Sequence, residues 1–341
     1  MPATSIAAIR TSSPSCSHSA PTSSGSEAEG IPMGMTAPLR VAAIVAASLL
    51  APAAPAAAQA AADSHIVSVE LVPAPGTSFA VDGRTYEGVL RVGAGDDGLV
   101  LTEEVTLDQY LKGIGEVPFS WPMAALSAQV VAARTYLAHT LLSGRAGDGA
   151  SYGFDICASS ACQVYAGSGL AAEEGGARWV EAVERTAGQI LLYQGRPAQT
   201  VYSSSTGSRT RSNQDVWGGA ALPYLQAVDS PEDGVSPFAS WVIDIPSHLF
   251  VSILQREGYR VSGQLQSILV RDPGEGAGPT TIWVDTEGGT DVVAETDLKG
   301  AFNRQGPQLA PGLLPVRIGD GRRLPQALPS YTYEISHIPG A

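Results

Sequence analysis

One stretch, Tyr110 to Tyr136, reads YLKGIGEVPFSWPMAALSAQVVAARTY and constrains this chain more than any other. A turn bounded by glycine and proline places a single carboxylate, Glu116, directly before an alanine-rich helix. Ser120 is predicted to cap that helix, with Pro122 in its first turn, where a missing N–H costs nothing. The helix is predicted to run to about Leu142 and to stop at Ser143-Gly144. Leu126, Val130, Ala133 and Leu137 recur at helical spacing and form its core stripe. Gln129 and Arg134 flank the stripe on opposite sides, by about 60–80° at a helical step of about 100° per residue. A lone acid beside a helix carrying an amide and a guanidinium suits a site that cleaves sugars. The plainer reading is that both polar groups edge the core and snorkel to water.

The flanks bear on where such a chain works. The sequence has 341 residues and a formal net charge of −13. Residues 1–34 are rich in Ser, Thr, Pro and Gly, as expected of an unstructured or over-extended N-terminus. From Met35 the pattern becomes one Arg, a short apolar run and small residues, so residues 35–62 are read as a secretory signal peptide. The run is too short to span a bilayer, which takes about 20 residues. The expected location is secreted, outside the cell or at its wall. The acidic balance argues against nucleic acid and against anionic membrane surfaces. Cys16 falls in the leader, leaving Cys157 and Cys162. An even pair in an exported chain points to a disulfide closing a small loop. The rival is half a zinc site, which needs two further ligands; no His lies within CASSAC, so the disulfide is favoured.

Residues 66–107 alternate as antiparallel strands, with a hairpin signal at GAGDDG. A second helix is predicted over Ala171–Thr186, with Trp179, Val180 and Val183 facing inward. GQILLYQGRPAQTVYSSS reads as a hairpin of two buried strands turning at Gln194-Gly195. A strand at WVIDI, a helix capped by Ser247 and strands at QSILVRD, TTIWVDT and DVVAETD follow. Strands and helices in blocks mean α+β, in one domain over 65–341 with its core at about 84–316.

These residues together resemble the stage II sporulation protein D family (SpoIID/LytB). The likeness runs through Tyr110-Leu-Lys-Gly, Glu116-Val-Pro, Trp121-Pro and Ala128-Gln-Val-Val-Ala-Ala-Arg-Thr-Tyr136. It continues through Cys162-Gln-Val-Tyr-Ala-Gly167, Val201-Tyr-Ser-Ser-Ser-Thr-Gly207, Asp215-Val-Trp217 and Pro223-Tyr-Leu225, and ends with Asp297-Leu-Lys-Gly to Leu313. Several motifs in one order are more specific than any alone.

The resemblance implies a lytic transglycosylase acting on peptidoglycan between N-acetylmuramic acid and N-acetylglucosamine, with Glu116 as its catalytic acid. Ordinary glycosidases need two carboxylates. A lytic enzyme lets the sugar's own 6-hydroxyl attack, so one carboxyl can give a proton and later take one. That role requires Glu116 protonated near neutral pH, in an apolar surround such as Ile114, Val117, Phe119 and Trp121. Arg134 is expected at a substrate carboxylate or hydroxyl, its structural alternative being an ion pair with Asp155 or Glu116. Gln129 and Gln163 suit N-acetyl or hydroxyl groups. The hydroxyl row Tyr202, Ser203, Ser204 and Ser205 is expected at a strand end lining the cleft opposite Glu116. A lone Trp such as Trp217 is more often core than a sugar platform. The serine-hydrolase pattern G-x-S-x-G is absent, and the five His residues are scattered. No metal or cofactor is expected. Where some members carry a zinc-binding His, this chain has Ala161, and it lacks a Gly-His-Gly-x-Gly-Met-Ser-Gln-like segment. The competing expectation is a non-catalytic wall-binding protein that activates a partner amidase.

Overall fold

The computed structural model describes residues 6–10, 39–45, 68–95, 98–144, 148–159, 161–330 and 333–338. They gather into two compact units, one over 23–201 and one over 1–22 with 202–341. The division falls between Val201 and Tyr202, inside the span expected to form one domain. Helices and mainly antiparallel sheets occur in blocks, which is the α+β class.

In the 23–201 unit, five strands lie in the order 69–71, 89–95, 98–105, 39–45 and 156–157. Neighbours are antiparallel except the last pair. Leu39–Val45, part of the leader-like stretch, runs along Gly98–Val105. The rest of 35–62 lies outside the described residues, as does 1–34 apart from Ile6–Arg10. A hairpin of Phe79–Val81 and Arg84–Tyr86 turns on Asp82 and Gly83, at φ 50° and 73°. Left-handed backbone at both central positions matches the twist of the flanking strands.

Helix α1 (Leu107–Lys112) opens on a capping box between Thr106 and Gln109 and buries Tyr110 and Leu111. Helix α2 (Met123–Ser143) starts two residues later than expected, because Trp121 N–H turns back to the Pro118 carbonyl first. Pro122 therefore stands at the N-cap and Ser120 caps nothing. The expected stripe of Leu126, Val130, Ala133 and Leu137 is wholly buried. After a short helix α3 (Asp148–Tyr152), the helix expected over 171–186 is broken in two. A 3-10 turn covers Ser168–Ala172, Gly175 adopts φ 78°, and α4 (Gly176–Arg185) begins there. Trp179 and Val183 of α4 face the core as expected. The Gln194-Gly195 hairpin forms, but its strands are two residues each and Leu191 and Leu192 stay exposed. Strands that short cover too little of their own apolar surface to be buried.

The other unit carries α5 (Asn213–Trp217), α6 (Ser247–Arg256) and α7 (Glu295–Leu309). Trp241–Pro246 pairs with Ile6–Arg10, from the segment expected to lack structure, and with Val316–Arg317. Leu265–Arg271, Thr281–Thr286 and Gly289–Ala294 form an antiparallel meander. Its core joins Trp241, Ile245, Phe250 and Phe302, with the two Phe ring centres 5.3 Å apart. Ser247 lies inside α6 rather than capping it, and its hydroxyl is buried without a partner among the described residues.

One buried group in the first unit couples its stability to pH. Glu103, in Gly98–Val105, is 2% exposed and accepts from Gly88 N–H at 2.8 Å and Tyr165 O–H at 2.7 Å. Burial raises its pKa, while those two bonds oppose the rise. An acid whose pKa is higher folded than unfolded favours folding below the unfolded value and loses that contribution as pH climbs through the folded value. In urea unfolding from about pH 4 to about pH 8, Glu103→Gln should gain stability relative to wild type as pH rises. A gap that stays constant with pH would rule out the raised pKa.

Candidate active site around Glu116

The turn from Gly113 to Trp121 is fastened at several points within its unit. Ile114 pairs antiparallel with Tyr165. Gly115 N–H donates to the Val164 carbonyl at 3.0 Å and Ala166 N–H to the Gly113 carbonyl at 2.8 Å. A side chain on Gly113 would place its Cβ 2.4 Å from the Tyr165 ring, so only glycine lets the two segments approach. From α4, the Trp179 indole donates to the Leu111 carbonyl, and Phe119 stacks on Trp179 at 5.9 Å. The Arg178 guanidinium donates to the carbonyls of Phe119 and Trp121 at 2.8 and 2.9 Å.

Glu116 is half-buried on this turn, and its Oε1 accepts from the Val164 N–H at 2.9 Å. Ile114 is fully buried beneath it, and Val117 and Phe119 pack against the same core. Trp121, expected in the apolar surround, is instead 45% exposed. Tyr136 of α2 also belongs to the neighbourhood. Burial raises its phenol pKa, the Glu116 charge adds to the rise, and a hydrogen bond with Thr140 opposes it. Gln129 stands seven residues before Tyr136, hence on the same helical face. Its Nε2 is buried without a partner among the described residues.

Arg134 does not serve as expected. It is 2% exposed, and its two terminal nitrogens donate to the carbonyls of Val183, Thr186 and Gln189 and to the Thr186 hydroxyl. These carbonyls lie at and beyond the C-terminal end of α4, where a helix leaves acceptors unpaired. A cation there also meets the negative end of the helix dipole. Neither Asp155 nor Glu116 is among these partners. Burial lowers the guanidinium's pKa, with Asp108 partly offsetting it.

Gln163 is likewise internal. It is fully buried, accepts from the Tyr110 hydroxyl at 2.9 Å and donates to the Ala133 carbonyl at 3.2 Å. Beside it Cys157 and Cys162 are joined as a disulfide, with Cα atoms 5.5 Å apart, so both sulfurs are committed to each other. The bond closes a very short loop, for which chain entropy gives about 2 kcal/mol.

Tyr202 to Ser205 belong to the other unit and form no strand. Tyr202 is exposed. Ser203 donates to the Ser205 carbonyl, Ser204 to the Pro329 carbonyl, and Ser205, 3% exposed, to the Asp233 carboxylate at 2.7 Å. Asp233 also takes the N–H groups of Thr206 and Gly207. Trp217 in α5 is 52% exposed, against the expectation of a core residue. Its helix is pinned by Asp215, which accepts from Ser212 O–H and from the N–H groups of Gly276 and Gly278.

Residues 95–193, which include Glu116, the segment that docks on its turn and all of α2 and α4, match the family model described as SpoIID, stage II sporulation protein. Over that stretch the chain is similar to the SpoIID family. A stage II sporulation protein D from Bacillus amyloliquefaciens is 27% identical over 212 residues, 58% of this chain and 60% of that protein. An amidase enhancer from Bacillus subtilis is 31% identical over 175 residues, 47% of this chain and 22% of that protein. An uncharacterized Brachyspira hyodysenteriae protein is 34% identical over 152 residues, 44% of this chain and 39% of that protein. The chain thus spans from 22% to 60% of the length of these relatives.

The matched segment carries groups around the Glu116 turn that reading the sequence passed over: the Val164 N–H, Tyr136, and the Glu103–Tyr165 pair. Tyr136 closes the Arg-Thr-Tyr motif and so had a signal. Glu103 lies in a strand-like run whose sequence gives no sign that a carboxylate is buried there. The structural role of Arg134 yields a direct test. Arg134→Met strands several buried carbonyls and should lower stability by about 2–4 kcal/mol in urea unfolding, while the folded fraction pulls down sacculi as wild type does. Lost sacculus binding at full stability would restore the substrate-binding role.

Proposed function

We propose that this protein is a secreted lytic transglycosylase that cleaves the N-acetylmuramic acid–N-acetylglucosamine bond of peptidoglycan, with Glu116 as general acid and then base. The observation that carries the reading is a carboxyl held half-buried in a fastened turn within the segment that matches the SpoIID model. In the first step Glu116 gives its proton to the glycosidic oxygen as the C1–O bond breaks, and that bond's electrons stay on the leaving sugar. In the second, the 6-hydroxyl oxygen of the muramyl residue bonds to C1 and its proton passes to the Glu116 carboxylate. The product is a 1,6-anhydro end, and water takes no part, so a second carboxylate for water activation is unnecessary. The acid step favours a neutral carboxyl, which apolar neighbours such as Ile114, Val117 and Phe119 support. Half-burial keeps part of the Glu116 side chain at the surface, where a substrate can meet it.

The similarity to a protein named amidase enhancer favours a second reading. In it the chain binds the cell wall and stimulates a separate amidase without cutting glycan. Digestion of purified sacculi followed by mass spectrometry separates the two. Wild type should release anhydro-muropeptides, and Glu116→Gln should lower their yield by about a hundredfold or more while sacculus binding persists. Equal product, or none from either protein, would sink the lytic reading.

A further inference from the structure

The Gln163–Tyr165 segment has a feature that core packing alone does not require. Residues 163 and 165 both point inward and both are tied by side-chain hydrogen bonds, with Val164 between them. Gln163 is held by the Tyr110 hydroxyl and the Ala133 carbonyl. Tyr165 is 2% exposed, bonds Glu103 through its hydroxyl, and stacks on Tyr110 with ring centres 5.2 Å apart. The Arg84 guanidinium takes the Tyr165 carbonyl at 3.2 Å. On the other side, the disulfide closes at Cys162, immediately before Gln163.

We propose that Gln163 and Tyr165 are positioning residues for Glu116: anchored on either side of Val164, they fix the peptide plane that aims the Val164 N–H at Oε1. Glu103 acts through them as the acceptor that roots Tyr165. The Val164 N–H belongs to the 163–164 peptide, and the 164–165 peptide beside it takes the Gly115 N–H. With Gln163 and Tyr165 both tied into a polar network inside the core, neither plane can turn without moving them. The contact serves both halves of the proposed cycle, because a carboxyl oxygen that accepts an N–H keeps that bond whether or not the other oxygen carries the proton. Oε1 is thereby assigned to orientation. The consequence for catalysis rests on the lytic reading, but the contact itself does not.

Titration of the Val164 amide by 15N–1H NMR on the full chain reads the contact without any glycan. In wild type the amide shift should follow Glu116 ionisation, and it should stop doing so in Glu116→Gln. Tyr165→Phe keeps the ring on Tyr110 but drops the bond to Glu103; the pH response of Val164 should shrink. On sacculi, kcat should fall by about tenfold or more with KM unchanged, as misplaced catalytic groups do. If Tyr165→Phe does not fold, Gln163→Met, which loses both amide bonds at similar size, should give the same two changes. Folded variants with a wild-type Val164 response and wild-type kcat would overturn the proposal. A wild-type protein with an intact Val164 response but no anhydro product would support the positioning contact and refute the lytic reading.

Discussion

Everything in the 23–201 unit that bears on Glu116 depends on the antiparallel docking of Gly113–Gly115 against Val164–Ala166. The pairing is short, so its own hydrogen bonds stabilise it weakly; each adds about 1 kcal/mol net. Its rigidity comes from what lies behind each strand. Behind Val164–Ala166 stand Glu103, Tyr110 and the Ala133 carbonyl, and behind the turn stand Trp179, Arg178 and the packed ring of Phe119. A carboxylate on an ordinary surface loop would sample many rotamers. This one has a backbone N–H on one oxygen and its flanking residues tied into the core.

The buried polar groups divide the labour. Arg134 and Gln163 are the two side chains that most resemble substrate ligands in the sequence, and both are spent on backbone carbonyls inside the unit. Burying a guanidinium is costly unless nearly every donor finds an acceptor, and the frayed C-terminal end of α4 supplies several. The residue therefore links α2 to α4 and, through the Arg178 and Trp179 contacts of α4, steadies the Glu116 turn from a distance. Its presence in the motif is consistent with a role in the site's geometry rather than at the substrate.

Much of the fold was legible because it follows from periodicity. The α2 stripe, the inward face of α4, the Gln194-Gly195 turn and the meander after Leu265 all reflect local rules of spacing and turn chemistry. Helix α7 was missed, since Gly300, Gly306 and Pro307 argue against a helix, yet Leu298, Ala301 and Phe302 bury one face of it against the core. Packing of that face outweighed weak propensity. The break before α4 was missed for the opposite reason. Gly175 was a weak local signal, and its left-handed backbone is needed only because the preceding 3-10 turn redirects the chain.

By itself the sequence determined that a single acid sits in a constrained turn ahead of a buried helix, and that two cysteines lie close enough to be joined. Those are properties of residues near one another along the chain. Only the tertiary structure decided which polar side chains are available to a ligand. Gln163 and Arg134 meet their partners across 30 to 55 positions, and no local pattern encodes that pairing. A buried donor goes to the nearest unpaired acceptor in space, and the packing of α2, α4 and the central sheet sets which acceptor that is.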